Sequence, residues 1–369
     1  MENFALATVS VAWSILFLKM GVTDGEIGII KGYSIILVLL ISLLLPRLLE
    51  KFDESKVYPA TLSFTAAFLL LAGLPSILAI TLSFLFIRLL QNIKISSFSI
   101  MFRDTFRKQS EYSLAQGVMS GLMAFAWLVG PFLGGLYMDK FGAPKTMVLG
   151  ACIIALAAIV SLLKRKSHET KVIQSSFSPI KNIRFFTSIS GMKLAYLMRA
   201  GVDIWWAFTF TFLPLYMVRS GYSFFEIGLA LSLTQLPLVI GEFITVRALN
   251  VLSFRSIFAL CYFYLFLISV LCFFAPASWM VIALLVLGAV ALSFLEPLTE
   301  IYFFKLSKKD EEERAYPIFI TSSALGEGLL TLTTGVVLTI FSFKYGFSVL
   351  SISMLAIFLM SRSIKKTAS

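Results

Sequence analysis

Ionisable side chains set inside long apolar runs are the residues of this chain that could do chemistry, because a charge in hydrocarbon is costly unless it meets water, a counter-charge or a proton. Glu296 and Glu300 stand four residues apart and so share one helical face, and Lys94 lies about as many residues into its own run as Glu296 does into its run. Equal depth allows an opposite-charge contact that closes and opens, which makes Lys94 with Glu296 or Glu300 a candidate gate. Glu327 lies near the middle of a run, in Ser322-Ser323-Ala324-Leu325-Gly326-Glu327-Gly328. Desolvation favours a protonated carboxyl there unless a cation is close, so Glu327 is the candidate proton carrier, with Asp203 and Glu296 as competitors. Arg88 is placed near mid-membrane and needs a water-filled cavity or a carboxylate. Static ion pairs, or a neutral Glu327 that hydrogen-bonds a neighbouring helix, are the alternatives that these spacings leave open. Lys31, about one turn into its run, is read as snorkelling outward, and His168 as a solvated residue.

The elements that must position these groups follow from composition. Of the 369 residues 59% are hydrophobic and 14% charged, and the mean hydropathy is +0.92. That is too little polar surface to cover a water-soluble globule, so the lipid bilayer is the first partner. A hydrocarbon core of roughly 30 Å needs about 20 apolar residues of helix. Twelve such runs occur, near 4 to 20, 27 to 45, 57 to 73, 77 to 100, 112 to 137, 145 to 163, 195 to 218, 225 to 247, 254 to 274, 278 to 303, 315 to 341 and 345 to 361. The expected architecture is therefore all-α, with six spans in residues 1–163, a basic linker at 164–188 and six spans in 189–369.

Lysines and arginines gather in alternate loops and in the linker, which places that side and both termini in the cytoplasm of a plasma-membrane protein. The formal charge of +11 is then an insertion signal with some affinity for anionic lipid, not a nucleic-acid footprint. Cys152, Cys261 and Cys272 fall inside apolar spans and are expected as buried small hydrophobes. The first run begins almost at Met1 without a basic leader or a small-residue cleavage site, so it is expected to stay as the first span.

The chain also repeats itself. Gly21-Val22-Thr23-Asp24-Gly25-Glu26-Ile27-Gly28 returns two hundred residues later as Gly221-Tyr222-Ser223-Phe224-Phe225-Glu226-Ile227-Gly228, and each copy leads into an apolar run ending near Arg47 or Arg247. Equal offsets at the turn and at the arginine indicate a duplicated fold.

In the fifth run Gly117, Ala126 and Gly130-Pro131-Phe132-Leu133-Gly134-Gly135, followed by Asp139-Lys140-Phe141-Gly142, resemble the fifth-helix antiporter motif of the major facilitator superfamily. Its small residues let another helix approach closely, and Pro131 permits a bend. Arg88-Leu89-Leu90-Gln91-Asn92 is similar to the superfamily's fourth-helix pattern, with Asn92 where glycine is usual. The signature of the loop after the second span keeps its acid and base as Glu50-Lys51, with Pro46 where its first glycine is usual, Asp53-Glu54-Ser55 where its glycine-arginine-arginine is usual, and Lys56 just beyond. The resemblance implies two pseudo-symmetric six-helix bundles, with spans one, four, seven and ten around a central cavity. On those spans stand Trp13, then Arg88, Gln91, Asn92 and Lys94, then Asp203, Trp205 and Trp206, then Glu296 and Glu300.

The function that the resemblance implies is secondary transport of a small molecule by alternating access, most plainly proton-coupled efflux by a monomer, with protons as co-substrate and no cofactor or metal. A proton symporter or uniporter for a sugar or organic anion is the alternative, and a membrane receptor without transport a third. No HExxH, GxSxG or GxxxxGK[ST] pattern occurs in the chain, so an enzyme is not expected.

Overall fold

The computed structural model describes residues 1–42, 54–104, 109–163, 179–308 and 311–365, and all the regular structure among them is helical. The helices are α1 (Glu2–Ser10), α2 (Ala12–Lys19), α3 (Asp24–Ser42), α4 (Glu54–Ala72), α5 (Ile77–Asp104), α6 (Gln109–Phe141), α7 (Ala143–Leu163), α8 (Pro179–Ser188), α9 (Met192–Arg219), α10 (Phe224–Leu249), α11 (Phe254–Phe274), α12 (Ser278–Leu306), α13 (Glu312–Ile340) and α14 (Lys344–Ser361). Eight of them are long and apolar enough to cross a membrane, and α4 and α10 hold shorter apolar stretches, Lys56–Ala72 and Phe224–Val239. With α1 and α2 counted as one span interrupted at Val11, the helices fall one for one on the twelve expected runs. The addition is α8, which forms inside the basic linker and docks on α13: Arg314 donates to Asn182 Oδ1 at 2.8 Å, and its guanidinium lies 4.3 Å from the centroid of the Phe185 ring. One expectation fails at Cys152. It is exposed on α7, while Cys272 is buried.

The chain forms two compact units. Unit 1 takes Met1–Gly21, Leu37–Phe177 and Ser223–Ser232; unit 2 takes Val22–Ile36, Ser178–Tyr222 and Leu233–Ser369. In unit 1, α4 packs on α5 and α7, while α1 packs on α6 and α7; in unit 2, α11 packs on α12 and α14, while α9 packs on α13 and α14. These are corresponding helices, so one arrangement is built twice.

Each unit takes in the opening turns of a helix from the other half of the sequence, and small residues make this possible. In unit 1 a Cβ on Gly228 would lie 2.3 Å from the Pro131 carbonyl oxygen and 3.0 Å from Gly135 Cα; in unit 2 a Cβ on Gly28 would lie 2.7 Å from Gly335 Cα. Both members of the second contact sit two hundred residues from members of the first. The neighbouring positions obey the same rule. Phe132 N–H, the donor next to Pro131, goes to Ser232 Oγ at 2.9 Å in unit 1, and at the matching place in unit 2 a Cβ on Gly32 would lie 2.7 Å from Leu332 N. Arg219 Nε donates to Asp24 Oδ2 in unit 2, and in unit 1 Lys19 Nζ sits 5.3 Å from the centroid of the Phe224 ring.

The repeated octapeptides are turns with a fixed chemistry. Gly21 and Gly221, at φ 80° and 84°, end α2 and α9 in the left-handed region that glycine enters without a Cβ clash. Two residues on, a capping box starts the next helix. Thr23 N–H donates to Glu26 Oε2 at 2.9 Å and Glu26 N–H to Thr23 Oγ1 at 3.4 Å, and Ser223 with Glu226 repeats this at 2.7 and 3.2 Å. Asp139 adds a second cap to α10, accepting from Phe224 N–H at 2.8 Å and Phe225 N–H at 2.9 Å.

Two outcomes follow. Gly228→Ala must separate two backbones and is expected to destabilise by about 2 kcal/mol, whereas Gly121→Ala, with nothing within 4 Å of its new Cβ, is expected to be neutral or slightly stabilising; thermal melts of the detergent-solubilised protein compare them. The hydrogen bond from the Thr23 backbone N–H, then that from its hydroxyl, holds the Glu26 carboxyl below its ordinary value of 4.5. A depressed folded-state value contributes stability that is complete above about pH 4.5 and is lost as pH falls through the depressed value. Melts between pH 3 and 7 should show a smaller acid-side fall for Glu26→Gln than for the wild type.

Candidate functional site

A dense polar cluster in unit 2 is centred on Arg199 of α9. Its Nε donates to Asp203 Oδ2 at 3.1 Å, one helical turn along, and approaches Ser323 Oγ of α13 at 3.3 Å; one terminal nitrogen lies 3.6 Å from Glu300 Oε1 of α12. Arg199, Asp203 and Glu300 keep side-chain exposures of 24, 18 and 33%, so the pairs are largely but not wholly withdrawn from solvent. A turn before Glu300, Glu296 Oε1 accepts from Trp206 Nε1 at 2.6 Å. Tyr196 and Thr321 share a hydrogen bond of 3.1 Å one turn earlier on α9 and α13. Two helices, α9 and α12, thus bring one guanidinium and three carboxylates together, and α13 adds the Ser323 hydroxyl. A salt bridge of this kind is stable only while its hydrogen bonds stay satisfied.

Four of the sequence candidates, Asp203, Trp206, Glu296 and Glu300, meet in this cluster. Trp205 does not join them. It is fully buried in the core, and a Cβ on Gly288 would lie 2.1 Å from its ring. Glu327 is half-buried on α13 between Gly326, which packs on Ala200, and Gly328, which packs on Ile35 and Ile36.

Unit 1 carries the other candidates. Trp13 stands edge-on to Phe84 with centroids 5.5 Å apart, and the Arg88 guanidinium lies 5.4 Å from the centroid of the same ring. Gln91 and Asn92 are half-buried one turn further along α5. Lys94 Nζ donates to Glu2 Oε1, both side chains being about nine-tenths buried, with exposures of 12 and 11%. The motif of α6 has a clear packing role. Gly130 and Gly134 admit the backbone of α1 at Ala7 and Thr8, while Pro131 and Gly135 admit α10; Gly117 lies further back on the same helix. Glu50, Lys51 and Asp53 lie outside the described residues.

Sequence reasoning passed over Arg199, although the argument applied to Arg88 covers it: a cation inside an apolar run, here with an acid four residues on. Lys31 is a plain correction. It does not snorkel but is 3% exposed, with Nζ donating to Thr211 Oγ1 of α9 at 2.7 Å.

The sequence profile of the Major Facilitator Superfamily matches residues 2–243 and again 195–367, the two stretches together running through nearly the whole chain. The chain belongs to the Major Facilitator Superfamily. As a member of the superfamily it is a multi-pass membrane protein with a transporter fold and not an enzyme. No curated protein matches it by sequence. Among solved structures, that of a POT family transporter in complex with a thioalcohol-conjugated peptide superposes with a TM-score of 0.76 at 12% identity, over 99% of this chain and 95% of that one. The nucleoside transporter NupG gives 0.73 at 12% identity, over 97% and 95%. A bacterial homologue of the human lysosomal transporter Spinster, inward-facing and unoccupied, gives 0.73 at 13% identity, over 97% and 91%. At these identities the superfamily fold is what is shared.

In the superfamily frame, Arg199→Met is expected to destabilise the protein by about 3 kcal/mol, because two carboxylates are left against an apolar side chain. Adding Asp203→Asn should recover part of that loss in the same melt, and a full loss in the double variant would contradict the pairing.

Proposed function

We propose that the protein is a proton-coupled secondary transporter, an exporter of a small molecule, working as a monomer in the plasma membrane with both termini in the cytoplasm. The observation that carries this reading is the Arg199 cluster, in which Asp203, Glu296 and Glu300 gather around one guanidinium inside a helical bundle. Negative charge in excess at such a place is relieved by taking up a proton or a cation, and proton uptake followed by release is the elementary step of coupling. Glu327 extends the acidic face one turn beyond Ser323 and is the second proton-coupling candidate. The resemblance of α6 to the antiporter motif supports export. Residues 1–163 and 189–369 are the proposed moving bodies. Lys94, Glu296 and Glu300 remain gate candidates, and each would have to exchange the partner that it holds here. Trp13, Arg88, Gln91, Asn92, Asp203 and Trp206 are the proposed substrate contacts, and Glu50, Lys51 and Asp53 the proposed cytoplasmic latch.

The second reading, a symporter or uniporter for a sugar or organic anion, is favoured by Arg88, a cation on an aromatic face in unit 1. Collapse of a pH gradient in proteoliposomes distinguishes the two. Proton movement driven by a lipophilic cation and lost in Glu327→Gln is the expected result. Movement driven only by a sugar or organic anion would replace export by the second reading, and no movement with any of the three would remove proton coupling.

A further inference from the structure

The outward side of α8 carries a pattern that packing does not use. Asn182 and Phe186 are buried and Phe185 is half-buried, while Ile180 keeps 80% and Ile183 39% of its surface exposed, and Lys181 and Arg184 are exposed as well. Successive helical residues point about 100° apart, so Ile180 and Ile183 share one flank of the outward side and Lys181 and Arg184 share the other. An apolar flank beside a basic one is what a helix at a membrane interface needs, the first toward the acyl chains and the second toward phosphate.

The contacts of α8 fix its depth. Arg314, whose Nε donates to Asn182 Oδ1 at 2.8 Å and whose Nη2 donates to the Lys181 carbonyl at 3.2 Å, is the first residue of the apolar span Arg314–Ile340. Phe186 stands edge-on to Tyr196, one turn into the apolar span Met192–Arg219, with ring centroids 6.0 Å apart. Gly191, at φ 89°, makes the turn from α8 into α9, and a Cβ there would lie 3.1 Å from Leu306, the last residue of the span Ser278–Leu306. Three spans of unit 2 thus end beside α8 and its turn, at the level of the lipid headgroups.

The charge at this level is basic. Lys193 is exposed in the first turn of α9, and Lys305 and Lys308 are exposed where α12 ends. Of the acids described here, Glu311 and Glu312 are half-buried at the start of α13, and Glu311 Oε2 accepts from the Lys308 backbone N–H at 3.1 Å. Among the described residues no carboxylate holds Lys181 or Arg184 in an ion pair. Both cations are open to an anion from outside the protein.

We propose that the outward side of α8 is a binding surface for anionic phospholipid, with Lys181 and Arg184 on the headgroup phosphate and Ile180 and Ile183 in the acyl boundary. Depth decides for lipid over a protein partner, since a face at headgroup level already meets the leaflet. Because Arg314 ties α8 to the first turn of α13, lipid held there fixes that end of α13 at the membrane surface. The surface asks nothing of protons or of export and stands apart from the proton-coupled reading.

Quenching of a dye on the full-length protein in nanodiscs tests the surface. Cys152, Cys261 and Cys272 are replaced by alanine and Thr187, exposed on the same side of α8, by a labelled cysteine. Spin-labelled phosphatidylglycerol should quench the dye at a roughly tenfold lower concentration than spin-labelled phosphatidylcholine, a preference that shrinks with added salt. Lys181→Gln with Arg184→Gln should bring that ratio close to one without changing Tm in pure phosphatidylcholine; a ratio that persists would overturn the assignment of the basic flank. Ile180→Asn with Ile183→Asn should keep the preference but lose quenching by a nitroxide placed down the acyl chain. Equal quenching by both lipids in the unsubstituted helix would overturn the proposal, and so would quenching by aqueous iodide alone, which would leave the face to a protein partner.

Discussion

Hydrocarbon offers a peptide group no hydrogen-bond partner, and every feature of this protein is arranged around that shortage. It is why the regular structure among the described residues is helical and why departures from helix are short. Where the helical ladder is interrupted, a side chain steps in. Ser232 takes the donor beside Pro131, Asp139 takes two donors at the start of α10, and Glu26 and Glu226 take one each at the repeated turns. The same shortage governs the charged groups. An ion inside the bundle must find its complement within the protein, which gathers Arg199 with its acids and brings Lys94 to Glu2.

Close approach is the second consequence. Lipid-facing Phe and Leu give no net hydrophobic pull between helices, so association relies on packing, and packing is tightest where backbones touch. Gly130 and Gly134 bring α1 against α6 while Gly135 brings α10 against it, so one helix serves two neighbours through different sides of a single motif. The motif that resembles an antiporter signature is therefore, in this structure, first a set of helix contacts. Motion of a transporter fold would act through the freedom of those contacts to part.

Much of the architecture was legible in the sequence because the signals are long. Twelve apolar runs and a duplicated turn survive errors of several residues at each boundary. The capping boxes were legible too, since Thr23 with Glu26 and Ser223 with Glu226 match the pattern of a helix start. Side-chain partners were not. Nothing along the chain says that Lys94 meets Glu2 or that Arg219 meets Asp24, because these pairs depend on how helices far apart in sequence lie together. Burial of Lys31 was invisible for the same reason: one turn inside a span reads as snorkelling until a helix from elsewhere covers it.

The reciprocity of the glycine contacts bears on how the chain could be divided. Unit 1 is completed by Ser223–Ser232 and unit 2 by Val22–Ile36, so a cut in the linker would send each unit's missing turns away on the other fragment. Neither fragment would hold a finished core: Gly135 would face a gap where Gly228 belongs, and Gly335 one where Gly28 belongs. Duplication has in this sense produced two halves that are alike but not independent. Split halves would have to be made together, each serving as the other's folding template.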